Sequence, residues 1–370
     1  MPKHFLTSLP LPDFFDLQKI RLKNQLVSFD LEITARCNLN CRHCYINLPA
    51  NDNAAKEKEL TFDFIKKIID EAASLGALWC LITGGEPLLR TDFFDIYLYL
   101  KKKGLLVSVF TNATLITERH AEFFKKYPPR DIEITVYGIT RETYERVTRM
   151  PSSFDAFMRG LDILLKNGIN VRLKTMALRS NIQEFSAISQ FCLSRTKDYF
   201  RFDPFLHLRF DGDSQRNEEI KSERLSPSEI VTIEKQDTRR FQALRKQCQQ
   251  IPVGNFERTN CNHLFTCGTG KDSFTISYDG FFRLCSSLWH PNCIFDVKRY
   301  SISKIIQNFI PKVRDLRSNN KEFLQNCRAC PIINFCMWCP AHCYLETGQL
   351  DIVVDYFCKV AHARVEQLLK

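Results

Sequence analysis

Residues 27–44 read Val-Ser-Phe-Asp-Leu-Glu-Ile-Thr-Ala-Arg-Cys-Asn-Leu-Asn-Cys-Arg-His-Cys. The first half, Val27–Ile33, has the branched and aromatic content of a buried strand. The second half puts Cys37, Cys41 and Cys44 in the loop that leaves this strand. In parallel α/β folds, active sites gather at the C-terminal ends of the strands. Closely spaced thiolates suit an iron–sulfur cluster, and three of them leave one iron of a cubane without a protein ligand. An open coordination position is what separates reactive from structural metal centres. Zinc is the alternative, but it wants a fourth ligand, and His43, between two of the cysteines, is poorly placed to close a tetrahedron.

Outward from this stretch, strand-like and helix-like segments alternate. Strands are expected at Val27–Ile33, Leu78–Ile82, Leu105–Phe110, Ile132–Val136, Val171–Ala177 and Phe200–Leu208. Helices are expected at Thr61–Leu75, Asp92–Lys103, Thr117–Lys126 and Ser153–Lys166, and from an Asn181 cap to about Ser194. Six strand–helix units imply a parallel sheet with right-handed crossovers, as an open doubly wound sheet or a partial barrel. Asp211–Glu223 is polar and reads as a loop. Ser226-Pro227-Ser228-Glu229 starts a helix that continues as a basic stretch from Ile230 to Gln249. Ser273–Tyr278 and Phe281–Leu284 read as a hairpin turning at Asp279-Gly280. The expected division is an N-terminal extension (1–26), an α/β domain (27–210), a helical connector (211–260) and a cysteine-rich domain (261–370).

The 370 residues are 44% hydrophobic and 25% charged, ordinary for a globular chain, so a net charge of +10 reads first as solubility. The basic residues are spread out, and neither nucleic acid nor a membrane is expected as a partner. Met1–Pro10 lacks the apolar core of a signal peptide, which makes the cytoplasm the expected compartment. Thiols stay reduced there, so sixteen cysteines, ten of them from Cys261 to Cys358, point to metal rather than disulfides. Cys80, Cys192 and Cys248 read as buried apolar residues.

Cys37-x3-Cys41-x2-Cys44 after a first strand resembles the signature of the radical SAM family. The resemblance covers roughly Val27–Leu208 and implies a partial (β/α)6 barrel of the TIM type. It implies a [4Fe–4S] cluster on these three cysteines whose open iron chelates S-adenosylmethionine. One electron then breaks the sulfonium C–S bond, and a 5′-deoxyadenosyl radical abstracts hydrogen from a substrate. Gly84-Gly85-Glu86-Pro87 resembles the family's GGEP element, whose backbone and acid meet the ammonium of the methionine. Thr111-Asn112 resembles its TNG element, with Ala113 where glycine is usual. Thr135 stands where relatives carry a serine facing the ribose or carboxylate, the His43 backbone is placed by adenine, and Lys174 either meets that carboxylate or is a surface lysine snorkelling to solvent.

The C-terminal cysteines resemble the SPASM extension of that family. Cys267, Gly280 and Cys285 reproduce its first part, and Cys327, Cys330, Cys336 and Cys358 its second. The gap after Cys336 is two residues instead of three, which gives Cys339. With Cys261 as an eighth ligand, the set serves one or two auxiliary [4Fe–4S] clusters, leaving Cys293 and Cys343 as spares.

The resemblance implies a radical oxidoreductase acting on a peptide or protein, as in peptide or sulfatase maturation. A cofactor precursor, tetrapyrrole or sugar is the alternative, and a metal-stabilised binding protein without catalysis the lesser one. An external electron donor of the flavodoxin or ferredoxin type is expected. The 26 residues before the first strand are too few for a leader-peptide-binding domain, so a separate recognition protein is a candidate partner.

Overall fold

The computed structural model describes residues 26–196, 200–249 and 262–368. Its core is one nine-stranded sheet. Six parallel strands follow the expected order: β1 (Ser28–Thr34), β2 (Trp79–Gly84), β3 (Leu106–Thr111), β4 (Asp131–Thr135), β5 (Val171–Met176) and β6 (Arg201–Asp203). Helices Phe62–Ser74, Phe93–Lys102, Glu118–Lys126, Ser153–Lys166 and Phe185–Arg195 separate them, with a further helix at Arg141–Thr148. The parallel order and intervening helices are those of a partial TIM-type barrel.

Alternation along β1 explains the two faces. Phe29, Leu31 and Ile33 join one core with Ile65, Ile68, Ile69 and Ala72 of the first long helix. Asp30 and Glu32 take the other face. There Glu32 forms a fully buried ion pair with Arg283, and Thr275 donates to Asp30 over 3.3 Å.

These partners come from the cysteine-rich region. The expected hairpin is present as β7 (Ser273–Ile276) and β8 (Phe281–Arg283), followed by β9 (Phe295–Asp296). β7 lies parallel to β1, pairing Ser28 with Ser273 and Leu31 with Ile276, so the hairpin extends the barrel sheet.

Three expectations are corrected. Asp211–Glu223 contains a helix, Ser214–Ser222, whose N-terminus is capped by Asp213 accepting from the Arg216 amide at 3.0 Å. Ile220 is its one buried residue, so no apolar period marks it. The basic stretch is two helices, Pro227–Gln236 and Thr238–Gln249, broken at extended Asp237, which caps the second through the Arg240 amide at 2.9 Å. The sixth strand stops at Asp203 because Pro204 has no N–H for the ladder and Asp203 turns to accept from the Phe205 amide. Cys80 and Cys192 lie in the main core as expected, and the Cys248 side chain lies outside the described residues. Among the described residues no helix is long and apolar enough to cross a membrane.

Burial and the neighbouring Glu32 carboxylate push Asp30 up to about 6, against the Thr275 hydrogen bond and Arg283. A carboxyl raised in the folded state contributes stability at low pH that is lost as pH rises from its ordinary value through about 6. Asp30→Asn is therefore expected to match wild type near pH 4 and to exceed it above pH 6, by on the order of 2 kcal/mol. Chemical denaturation across that range checks it; a constant difference contradicts it.

Candidate active site

The loop from β1 to residue 50 is fixed from several sides. Arg36 binds Glu59 through Nε at 2.8 Å and Nη2 at 3.2 Å, and its Nη1 donates to the Ala50 carbonyl at 2.9 Å. The amides of Asn40 and Arg42 donate to the carbonyls of Thr148 and Val147 at the end of helix Arg141–Thr148. Arg209 Nη1 donates to the Asn47 carbonyl at 3.1 Å, and Arg216 Nη2 to the Cys41 carbonyl at 3.0 Å.

The loop wraps one end of a cavity of about 370 Å³, and Cys37, Cys41 and Cys44 all line it. Burial pushes the Cys37 thiol up to about 12, with Glu86 and Cys44 adding to the shift. Burial also raises Cys41, followed by the Cys44 and Cys37 thiols. Thiols so placed would ionise more readily beside a cation, and the irons of a cluster would be one such partner. Among the described residues no three His, Cys, Asp or Glu side chains converge on a single-ion site. The three thiols instead border a space, which suits a body larger than one ion.

The glycine turn forms the next wall. Gly84 and Gly85 line the cavity. Gly84 has φ +139°, and a Cβ there would sit 2.1 Å from the Thr34 carbonyl oxygen; one on Gly85 would sit 2.2 Å from that of Arg36. Only glycine lets this backbone cross the end of β1. Glu86 is fully buried and turns away from the cavity. It accepts from Thr111 Oγ1 and the Asn112 amide at 2.8 Å each, and from the Leu88 amide at 3.1 Å, while burial pushes it up to about 7. Pro87 is buried at the start of the following 3-10 turn.

His43, Asn112, Thr135 and Lys174 also line the cavity. His43 is buried against Tyr137, ring to ring at 5.2 Å, and burial pushes it down to about 4. The Asn112 amide reaches back to the cysteine loop, to Asn38 Oδ1 at 3.0 Å and Cys37 Sγ at 3.7 Å. Lys174 pairs with Glu133 and lies over the Phe110 ring at 3.9 Å. Tyr45, Phe110, Glu133, Tyr137, Met176, Asp203, Phe205, His207 and Ser286 also line the walls and escaped the sequence reading. The signal for some was alternation: Glu133 with Thr135, and Lys174 with Met176, sit two apart on their strands. His207 had no such signal. Its Nδ1 lies 2.8 Å from Ser287 Oγ, its ring lies 4.1 Å from that of His342, and burial pushes it down to about 3.

Two groups of C-terminal cysteines are evident. Cys327, Cys330, Cys336 and Cys358 line a small second cavity. Burial pushes Cys327 up to about 12, with Cys336, Cys330 and Cys358 adding to it. Burial likewise pushes Cys339 up to about 12, with Cys285 and Cys267 contributing. Cys343 is buried and hydrogen-bonded to the Ile352 amide and carbonyl, and Cys293 is in the core. Cys261 lies outside the described residues.

A parallel partial barrel with a three-cysteine loop at the top of its first strand defines a class. Residues 31–192 match the Radical SAM superfamily. The chain is 27% identical over 337 residues to the AdoMet-dependent heme synthase of Methanosarcina barkeri, covering 86% of this chain and 92% of that one. It is 25% identical to the antilisterial bacteriocin subtilosin biosynthesis protein AlbA of Bacillus subtilis, over 85% of this chain and 66% of that one. Its fold matches the crystal structure of Streptococcus suis SuiB bound to S-adenosylmethionine with a TM-score of 0.65, over 97% of this chain and 83% of that one at 13% identity.

Gly85→Ala is expected to cost several kcal/mol, ~3 or more, because the obstructing atom is backbone and no side chain can yield. Thermal unfolding together with S-adenosylmethionine binding checks it; unchanged values for both contradict the close crossing.

Proposed function

We propose that this radical SAM enzyme modifies a side chain of a peptide or protein, with Cys37, Cys41 and Cys44 holding the cluster that cleaves S-adenosylmethionine. When bound, that cluster supplies the electron that breaks the sulfonium C–S bond and releases the 5′-deoxyadenosyl radical. The chain's own residues bind, orient and shield. Gly84 and Gly85 present backbone to the cavity, and Glu86 braces their turn against Thr111 and Asn112. Tyr45, Phe110, Met176 and Phe205 give the cavity apolar walls that exclude water from a reactive intermediate. Ser286 places the loop after Cys285 on the same cavity, so barrel and cysteine-rich region share the substrate wall.

The charge of that wall carries the choice of substrate. Its charged residues are Glu133, Asp203 and Lys174, and Lys174 is already paired with Glu133. A macrocycle bearing several carboxylates would need unpaired cations there. A neutral or basic side chain of a peptide fits this balance, and the bacteriocin-biosynthesis relative agrees with it. The heme synthase relative, matched over most of both chains, favours a tetrapyrrole as the second reading.

The grouping of thiols supports two auxiliary clusters. Cys327, Cys330, Cys336 and Cys358 would hold one. Cys267, Cys285 and Cys339 would hold the other, with Cys261 as its eighth-cysteine candidate. An external donor of the flavodoxin or ferredoxin type would supply electrons, and a separate recognition protein could deliver the peptide.

Alanine at Cys37, Cys41 or Cys44 is expected to abolish reductive cleavage of S-adenosylmethionine, measured as 5′-deoxyadenosine. Alanine at Cys327 or Cys336 is expected to lower iron content while cleavage persists. Retained cleavage in any of the first three variants contradicts the assignment.

The substrate is tested with anaerobically reconstituted enzyme, reductant and S-adenosylmethionine. Deuterated peptides encoded beside the gene are expected to change mass and to pass deuterium into 5′-deoxyadenosine. Unchanged peptides, with transfer only from a deuterated iron porphyrin carrying propionates, would establish the second reading instead.

A further inference from the structure

The side chain of Asn112 faces the cysteine loop, and its orientation is fixed. The Thr114 amide can only donate, and it points at Asn112 Oδ1 over 2.9 Å, as does Thr114 Oγ1 over 2.5 Å. The amide nitrogen of Asn112 must therefore face the other way, toward Asn38 Oδ1 at 3.0 Å and Cys37 Sγ at 3.7 Å. Asn38 closes the ring by donating to Thr114 Oγ1 at 2.8 Å. The Asn112 backbone amide is held by Glu86 Oε2 at 2.8 Å. The next residue, Ala113, is fully buried with φ +63°, a left-handed conformation that alanine adopts only under strain. The turn is thus held against its own preference, in the geometry that presents the Asn112 amide to sulfur. With the Leu39 amide at 3.4 Å, the Cys37 sulfur receives two N–H donors.

Hydrogen bonds to the ligating sulfurs are among the determinants of an iron–sulfur potential. A donor withdraws electron density from the thiolate and makes the cluster easier to reduce. We propose that the Asn112 side-chain amide, donating to the Cys37 sulfur, sets the reduction potential of the S-adenosylmethionine-cleaving cluster. Asn112 is then a positioning residue that acts through Cys37. The inference rests on the reading of Cys37, Cys41 and Cys44 as the ligands of that cluster.

The test is an EPR-monitored redox titration of the reconstituted full chain, following the signal that changes when S-adenosylmethionine is added. That response selects the cluster with an open iron from any auxiliary ones. Asn112→Leu removes the donor at similar volume. Asn112→Asp keeps the acceptor for Thr114 and places an anionic oxygen near sulfur. The expected order of midpoint potentials is wild type highest, then Asn112→Leu, then Asn112→Asp, with Asn38→Ala close to wild type because the donor remains. Equal potentials for wild type and both Asn112 variants, at equal iron content, would overturn the proposal.

Should either variant lose its iron, ENDOR of the S-adenosylmethionine-responsive signal in the Asn38→Ala chain, labelled with side-chain amide 15N-asparagine, decides the matter. A nitrogen coupling supports the bond, and its absence overturns it. A wild-type chain with no signal responsive to S-adenosylmethionine would overturn the ligand reading itself, and the proposal with it, which separates the two failures.

Discussion

The site depends on one close approach. At the tops of β1 and β2 the backbones cross with no room for a side chain: the amides of Gly85 and Glu86 donate to the carbonyls of Thr34 and Arg36 at 2.7 and 2.8 Å. This crossing sets the cysteine loop and the glycine turn at the same height over the barrel. Glu86 transmits the arrangement to β3 by accepting from Thr111 and Asn112. Three strand ends are locked together before any substrate-facing residue is considered.

The cysteine-rich region is held to this frame through charge. Arg283 and Glu32 are both buried, with Arg283 lying 3.8 Å from the Trp289 ring and Trp289 stacked on Phe210 at 4.0 Å. A buried ion pair adds little net stability, since desolvation offsets attraction. Its value is in register: a slipped hairpin would leave two uncompensated charges inside the sheet. Because β1 leads to Cys37 and β8 leads to Cys285, the pair fixes the two cysteine loops relative to each other. Arg209 and Arg216 do similar work by binding the loop at Asn47 and Cys41.

Much of this was legible in the residue order. The strands, the three-cysteine spacing, the Gly84-Gly85-Glu86-Pro87 turn and the hairpin at Asp279-Gly280 are local patterns, and each sits where local physics puts it. What escaped was non-local or unpatterned. The helix Ser214–Ser222 buries only Ile220, so nothing periodic announced it. The Arg209–Asn47 contact joins residues 162 apart. Lys174 lines the cavity, and its pairing with Glu133 follows from the β4–β5 register, which composition does not encode. The apposition of His207 and His342 needs the cysteine-rich region folded back onto the barrel.

The central claim is that the Cys37, Cys41 and Cys44 thiols leave one iron open for S-adenosylmethionine. ENDOR of the reduced, anaerobically reconstituted enzyme with 15N-amino and 17O-carboxyl S-adenosylmethionine tests it most directly. The account predicts couplings from both labels in wild type and none when Cys37, Cys41 and Cys44 are replaced together. Wild type without either coupling, or couplings that survive the triple replacement, would contradict it.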